Sequence, residues 1–142
     1  MDSTFQIQPE EFEILIVEDS PTQAERLRRL IQSKSYKARV AANGQLALAL
    51  IRERKPDLVL SDIIMPGGIN GFMLAREMLS RLPSLKVILT TGYAATEEHA
   101  GDAARFEHEI LKKPYRLSDL ARTVRRVLDE PSADQAAPVD AP

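Results

Sequence analysis

Hydrophobic residues recur along the chain in two alternating rhythms, short unbroken runs and stripes of helical period. Ile14-Leu15-Ile16-Val17 is a continuous apolar run, as expected of a strand covered on both faces. Pro21 then suits a first helical turn, and Ala24, Leu27, Leu30 and Ile31 make an apolar stripe on the helix that follows. Tyr36, Ala38 and Val40 alternate with Lys37 and Arg39, which predicts a strand with one wetter face at a sheet edge. Asn43-Gly44 turns the chain into a second helix carrying Ala47, Leu50 and Ile51, and Pro56-Asp57 ends it before the buried strand Leu58-Val59-Leu60. After the loop Pro66-Gly67-Gly68, the residues Ala75, Met78, Leu79 and Leu82 mark a third helix, and Val87-Ile88-Leu89 a fourth strand. Residues 95–105 are Ala/Glu-rich but interrupted by Gly101, and are read as a fourth helix. Glu109-Ile110-Leu111 predicts a fifth strand, and Leu117, Leu120, Ala121, Val124 and Leu128 a fifth helix, with Arg116, Arg122, Arg125 and Arg126 largely off its apolar face.

Five strands alternating with five helices predict an α/β fold, a parallel sheet with helices on both faces. A single wet strand in second position favours the order 2-1-3-4-5, the flavodoxin-like form of the doubly wound sheet. The predicted organisation is an N-terminal extension over 1–12, one domain over 13–130, and a disordered Pro/Ala/Asp-rich tail over 131–142.

Composition narrows the function. The 142 residues suit one domain, with 44% hydrophobic and 28% charged residues. A net charge of −2 gives no field for gripping nucleic acid. There is no cysteine, hence no disulfide and no thiolate metal site. The acidic start (Asp2, Glu10, Glu11, Glu13) lacks the plan of a signal peptide, and no apolar stretch approaches the ~20 residues that span a bilayer. A cytoplasmic protein without membrane insertion is expected.

In doubly wound sheets, sites form beyond the carboxyl ends of the strands. Glu18-Asp19 follow the first strand, Asp62 the third, Thr90-Thr91-Gly92 the fourth and Lys112-Lys113-Pro114 the fifth. Three carboxylates, a hydroxyl and an ammonium are therefore expected on one rim. Two like charges ~4 Å apart repel by roughly 4 kcal/mol at an effective dielectric of ~20, so the cluster asks for a cation. An all-oxygen set with few carboxylates suits Mg²⁺. A carboxylate can also attack phosphorus, with a lysine and a hydroxyl holding the phosphoryl oxygens.

The segments ILIVEDSP, NGQLALALI, PDLVLSDIIMPGGINGF, VILTTGYA and ILKKPYRLSDL, from about Glu13 to Leu128, resemble in order the CheY-like receiver domains of two-component signalling. The resemblance implies a stand-alone response regulator, not a turnover enzyme, with Asp62 as phospho-acceptor and Thr91 and Lys113 contacting the phosphoryl group. It implies Mg²⁺ held by Asp19, Asp62 and the Ile64 backbone carbonyl, with Glu18 acting through water, and a cis Lys113–Pro114 bond. The implied partners are a sensor histidine kinase or histidine phosphotransfer protein and a downstream protein reached by docking or onward transfer. A homodimer is a further possibility.

Two features depart from the family pattern. The loop after Asp62 is one residue longer than the commonest form. Ile110 stands where many members carry an inward-swinging Tyr or Phe, so the Thr-plus-aromatic switch does not transfer intact. Two other readings compete. A haloacid-dehalogenase-type phosphatase wants a second Asp two residues beyond the nucleophile, where this chain has Ile64. A binding module that had lost the chemistry would show an eroded acidic pocket. His99 and His108 are read as surface residues, Lys112 as solvated, and the fifth-helix arginines as a wet face.

Overall fold

The computed structural model describes residues 11–65, 69–92, 100–106 and 108–131. The apolar runs form β1 (Glu13–Val17), β2 (Lys37–Ala41), β3 (Leu58–Asp62), β4 (Lys86–Thr91) and β5 (Glu109–Lys112), all parallel, in the order β2-β1-β3-β4-β5. Between them run α1 (Pro21–Ser33), α2 (Gly44–Glu53), α3 (Gly71–Arg81), α4 (Ala100–Arg105) and, at the end, α5 (Leu117–Asp129). The fold class and strand order are those expected. The tail over 132–142, residues 1–10 of the extension, the Pro66-Gly67-Gly68 loop, Tyr93, His99 and the 95–99 part of the expected fourth helix lie outside the described residues. Within them, α4 runs through Gly101 rather than breaking there.

Strand alternation splits the core into two layers. Leu15, Val17, Val59, Val87 and Leu89 face α2 and α3, packing with Ala47, Ile51, Leu74, Ala75 and Met78. Ile14, Ile16, Leu58, Leu60 and Ile88 face the other way, against Leu27 and Ile31 of α1 and Leu120 and Val124 of α5. Which face each residue near the carboxyl rim occupies follows from this alternation.

Local signals fix the helix starts next to that rim. Ser20 Oγ accepts from the Gln23 N–H at 3.3 Å just ahead of Pro21. Asn43 and Asn70 cap α2 and α3 through Oδ1, each at 2.9 Å. Lys86 Nζ donates to the Leu128 carbonyl at 3.0 Å and to that of Glu130, closing the end of α5 onto the start of β4.

The edge strand departs from simple alternation. Val40 is exposed, whereas the Arg39 side chain turns inward to Glu13 Oε1 at 3.1 Å. Glu13 also accepts from Arg54 at 2.6 and 3.1 Å, and its backbone N–H donates to Asp57 Oδ2 at 2.7 Å. Arg54 and Arg39 outweigh the effect of burial and hold the Glu13 carboxyl below the usual glutamate range. This cluster lies at the amino end of the sheet, opposite the rim.

Candidate functional site

Asp62 is the last residue of β3, its side chain 13% exposed. Lys113, just past β5, reaches across β4 to place Nζ 3.1 Å from Asp62 Oδ2. The span is two strand spacings, about 10 Å, closed by the two side chains together with the 3.1 Å contact between them. Glu18 follows β1 and is buried, with Oε2 accepting from the Ser20 N–H at 3.1 Å. Asp19 is exposed at the mouth of the site. The Lys113–Pro114 bond is cis, as the resemblance implied.

The charges feel one another. Burial raises the Glu18 carboxyl above its ordinary range, against the lowering bond from Ser20, and the Asp62 and Asp19 charges add to the rise. For Lys113, burial works against the ammonium, but Asp62, with Glu18 behind it, more than offsets this and raises it. Tyr115 is pushed up, chiefly by its own burial.

Not every expected side chain meets at one point. Among the described residues, no three His, Asp or Glu side chains are arranged to hold a metal ion. The group in contact with Asp62 is the Lys113 ammonium. The donor chemistry nonetheless fits a small hard cation: Glu18 repelled by the Asp62 and Asp19 carboxylates, and the backbone of exposed Ile64 two positions beyond Asp62.

Thr91 is buried (1% exposed), and its hydroxyl donates to the Gly92 carbonyl at 3.0 Å. Its carbonyl accepts from the Lys113 N–H at 2.7 Å, so Thr91 sets where Lys113 leaves the sheet. His108 is exposed and packs on Phe106, with ring centroids 5.4 Å apart. Ile110 is half-buried beside Phe106 in the α3-side layer. The expected wet face of α5 is laced by ion pairs, Arg122 with Asp119, Arg125 with Asp129 at 3.2 Å and Arg126 with Glu109 at 2.9 Å.

Sequence reasoning missed one residue that shapes the site. Gly71 opens α3 directly beneath the loop leaving Asp62, and its N–H donates to the Ile63 carbonyl at 2.7 Å. A Cβ there would stand 2.6 Å from the Asp62 carbonyl oxygen and 2.8 Å from Ile63 Cα. The glycine after Asn70 was the available signal, since a helix start pressed against backbone admits no side chain.

Fold and rim together define an α/β domain whose reactive groups gather at the carboxyl ends of a doubly wound sheet. The family model described as "Response regulator receiver domain" matches residues 14–125. Protein PilH of Pseudomonas aeruginosa is 33% identical over 117 residues, covering 81% of this chain and 96% of PilH. The chain spans about half the length (53%) of the mycobacterial response regulators MprA that it also matches. Among solved structures, the signal receiver domain of a histidine kinase from Syntrophus aciditrophicus superposes with a TM-score of 0.76 at 33% identity, covering 82% of this chain and 89% of that one. The response regulator TrrA of Thermotoga maritima, solved with Mg²⁺ and beryllofluoride, gives 0.72 at 30% identity, covering 82% and 98%. This chain belongs to the response regulator receiver domain family. Its members are phospho-accepting signalling modules rather than classical enzymes. No helix among the described residues is long and apolar enough to cross a membrane.

Proposed function

We propose that Asp62 accepts a phosphoryl group from a phosphohistidine of a sensor kinase or histidine phosphotransfer protein, and that the resulting acyl phosphate is the signal. The observation that carries this reading is the Lys113–Asp62 contact at 3.1 Å, set at the end of the central strand with Glu18 buried alongside. An Asp62 carboxylate oxygen forms the new O–P bond as the donor's N–P bond breaks, and the imidazole keeps the bonding pair. No general base is needed, because the attacking group is a carboxylate paired with the Lys113 ammonium rather than a hydroxyl or a water.

Lys113 neutralises Asp62 before transfer and turns to a phosphoryl oxygen after it, while Thr91, the last residue of β4, turns its hydroxyl from the Gly92 carbonyl to another. Asp19, Asp62 and the Ile64 carbonyl would hold Mg²⁺, with Glu18 reaching it through water, and the ion would neutralise charge on the phosphoryl oxygens and relieve the repulsion of Glu18 by Asp62 and Asp19. TrrA's Mg²⁺–beryllofluoride complex supports the same use here. Ile64 carries no carboxyl for turnover chemistry, which favours a stored phosphoryl group over a phosphatase.

A donor must approach from the carboxyl rim. An open groove of about 750 Å³ lies along α1 and the start of α5, lined by Pro21, Arg26, Leu30 and Leu117, but Asp62 is not part of it. The phosphorylated domain signals by altered docking or by passing the group onward, in the cytoplasm where the kinase's nucleotide is available. The test is Asp62→Asn. Transfer of ³²P from a donor kinase, or labelling by acetyl phosphate, should vanish while the circular dichroism spectrum is retained; continued labelling of a folded variant overturns the reading.

A further inference from the structure

The register of the sheet places a second hydroxyl beside Asp62. Thr90 is the β4 partner of Asp62 and, on its other side, of Leu111 in β5. Paired residues of parallel strands point to the same face. Ile88 and Leu60, two positions earlier in their strands, both pack in the α1/α5-side layer, so Thr90 and Asp62 share that face. Thr91 takes the opposite face, that of Leu89. Leu111 also belongs to the α1/α5-side layer, so Lys113, two residues on, starts from the same side. To bring Nζ to Asp62 it must pass over β4 at the height of Thr90.

Below this level the same face of β3 and β4 is apolar: Leu58, Leu60 and Ile88. Thr90 is 4% exposed as a residue, while its hydroxyl oxygen is not among the buried polar atoms left unpaired, of which the described residues show Arg39 Nε alone. On this otherwise apolar face the Thr90 hydroxyl is the polar group set between Asp62 and the root of Lys113, where a passing donor meets it. Valine would fill the same volume and satisfy the strand.

We propose that Thr90 is a positioning residue of the phosphoryl-acceptor site: its hydroxyl accepts a hydrogen bond from the Lys113 ammonium as that group leaves the Asp62 carboxylate for the transferred phosphoryl group. An ammonium has three donors, and a carboxylate oxygen takes one. A neutral oxygen beneath the bridge steadies the lysine without competing for its charge. The inference rests on Asp62 being the acceptor and adds a member to that site.

The test compares Thr90→Val, which removes the hydroxyl at constant shape, with Thr90→Ser, which restores it. Labelling of the full chain by acetyl phosphate is followed across donor concentrations. The maximum rate should fall about tenfold in Thr90→Val, with a smaller change in half-saturating donor, and should return to within about twofold of the parent in Thr90→Ser. A second readout follows the lysine itself: in ¹⁵N spectra of the protein with Mg²⁺ and beryllofluoride, Lys113 ammonium protons should exchange faster in Thr90→Val and at the parent rate in Thr90→Ser. If Thr90→Val does not fold, Thr90→Ala against Thr90→Ser gives the same contrast. Equal rates and equal Lys113 exchange in the parent and Thr90→Val overturn the proposal, as does a serine variant that folds and behaves like the valine one. Labelling that survives Asp62→Asn overturns the acceptor reading instead, so the two failures are distinct.

Discussion

Gly71 N donates to the Ile63 carbonyl at 2.7 Å, and the space where its Cβ would lie is taken by the Asp62 carbonyl oxygen, 2.6 Å away. The start of α3 therefore rests on the backbone that presents Asp62, with no room between them. The cap from Asn70 Oδ1 to the Met73 N–H fixes the helix just there. Gly71→Ala should destabilise the domain by about 2 kcal/mol, an overpacking cost, and should slow phosphorylation of Asp62 by shifting the loop. Denaturant unfolding and acetyl phosphate labelling check the two effects together.

Glu18 is a buried carboxylate raised by its own burial and by its neighbours Asp62 and Asp19. A carboxyl raised in the folded state adds stability below its unfolded value and loses it as pH rises through the folded one. At neutral pH without Mg²⁺, Glu18→Gln should therefore raise the melting temperature by a few degrees, since the amide oxygen can still accept from Ser20. Added Mg²⁺ should stabilise the parent more than the variant. Paired melting curves with and without the ion measure both.

Glu13 behaves in the opposite sense at the other end of the sheet. Its bonds with Arg54 and Arg39 hold it below the ordinary glutamate value of 4.5. Its stabilising contribution is full above that value and is lost as pH falls through the lowered one. Glu13→Gln should cost about 1–2 kcal/mol at pH 7, and the difference from the parent should shrink below pH 4. Urea titrations at the two pH values test this.

Ile64 is 49% exposed two residues beyond Asp62, where it can shield the path of attacking water and offers no hydrogen bond to it. By sequence spacing Tyr93 stands at the same offset from Thr91. The aspartyl phosphate should decay faster in an Ile64→Asn, Tyr93→Glu double variant than in the parent. Loss of ³²P under matched Mg²⁺ and temperature decides it; equal decay overturns the shielding idea.

The sequence by itself determined the class of fold and the neighbourhood of the chemistry. Unbroken runs such as Ile14–Val17 and the i, i+3, i+4 stripe of α5 arise from burial, which is periodic and local, and the residues just past each strand are marked by position alone. Asp62 and Lys113 were legible for that reason. The tertiary structure decided what depends on how strands lie beside one another. Strand alternation puts Thr90, rather than Thr91, on the Asp62 face, a distinction that needs the register of β3 against β4. Arg39 turns toward Glu13 where a simple alternating strand would leave it in water, because a buried carboxylate needs a partner and β1 is its neighbour. Gly71 matters only because the loop behind Asp62 folds onto it. Contacts between residues distant in the chain leave no periodic trace in it, and they set the shape of the site.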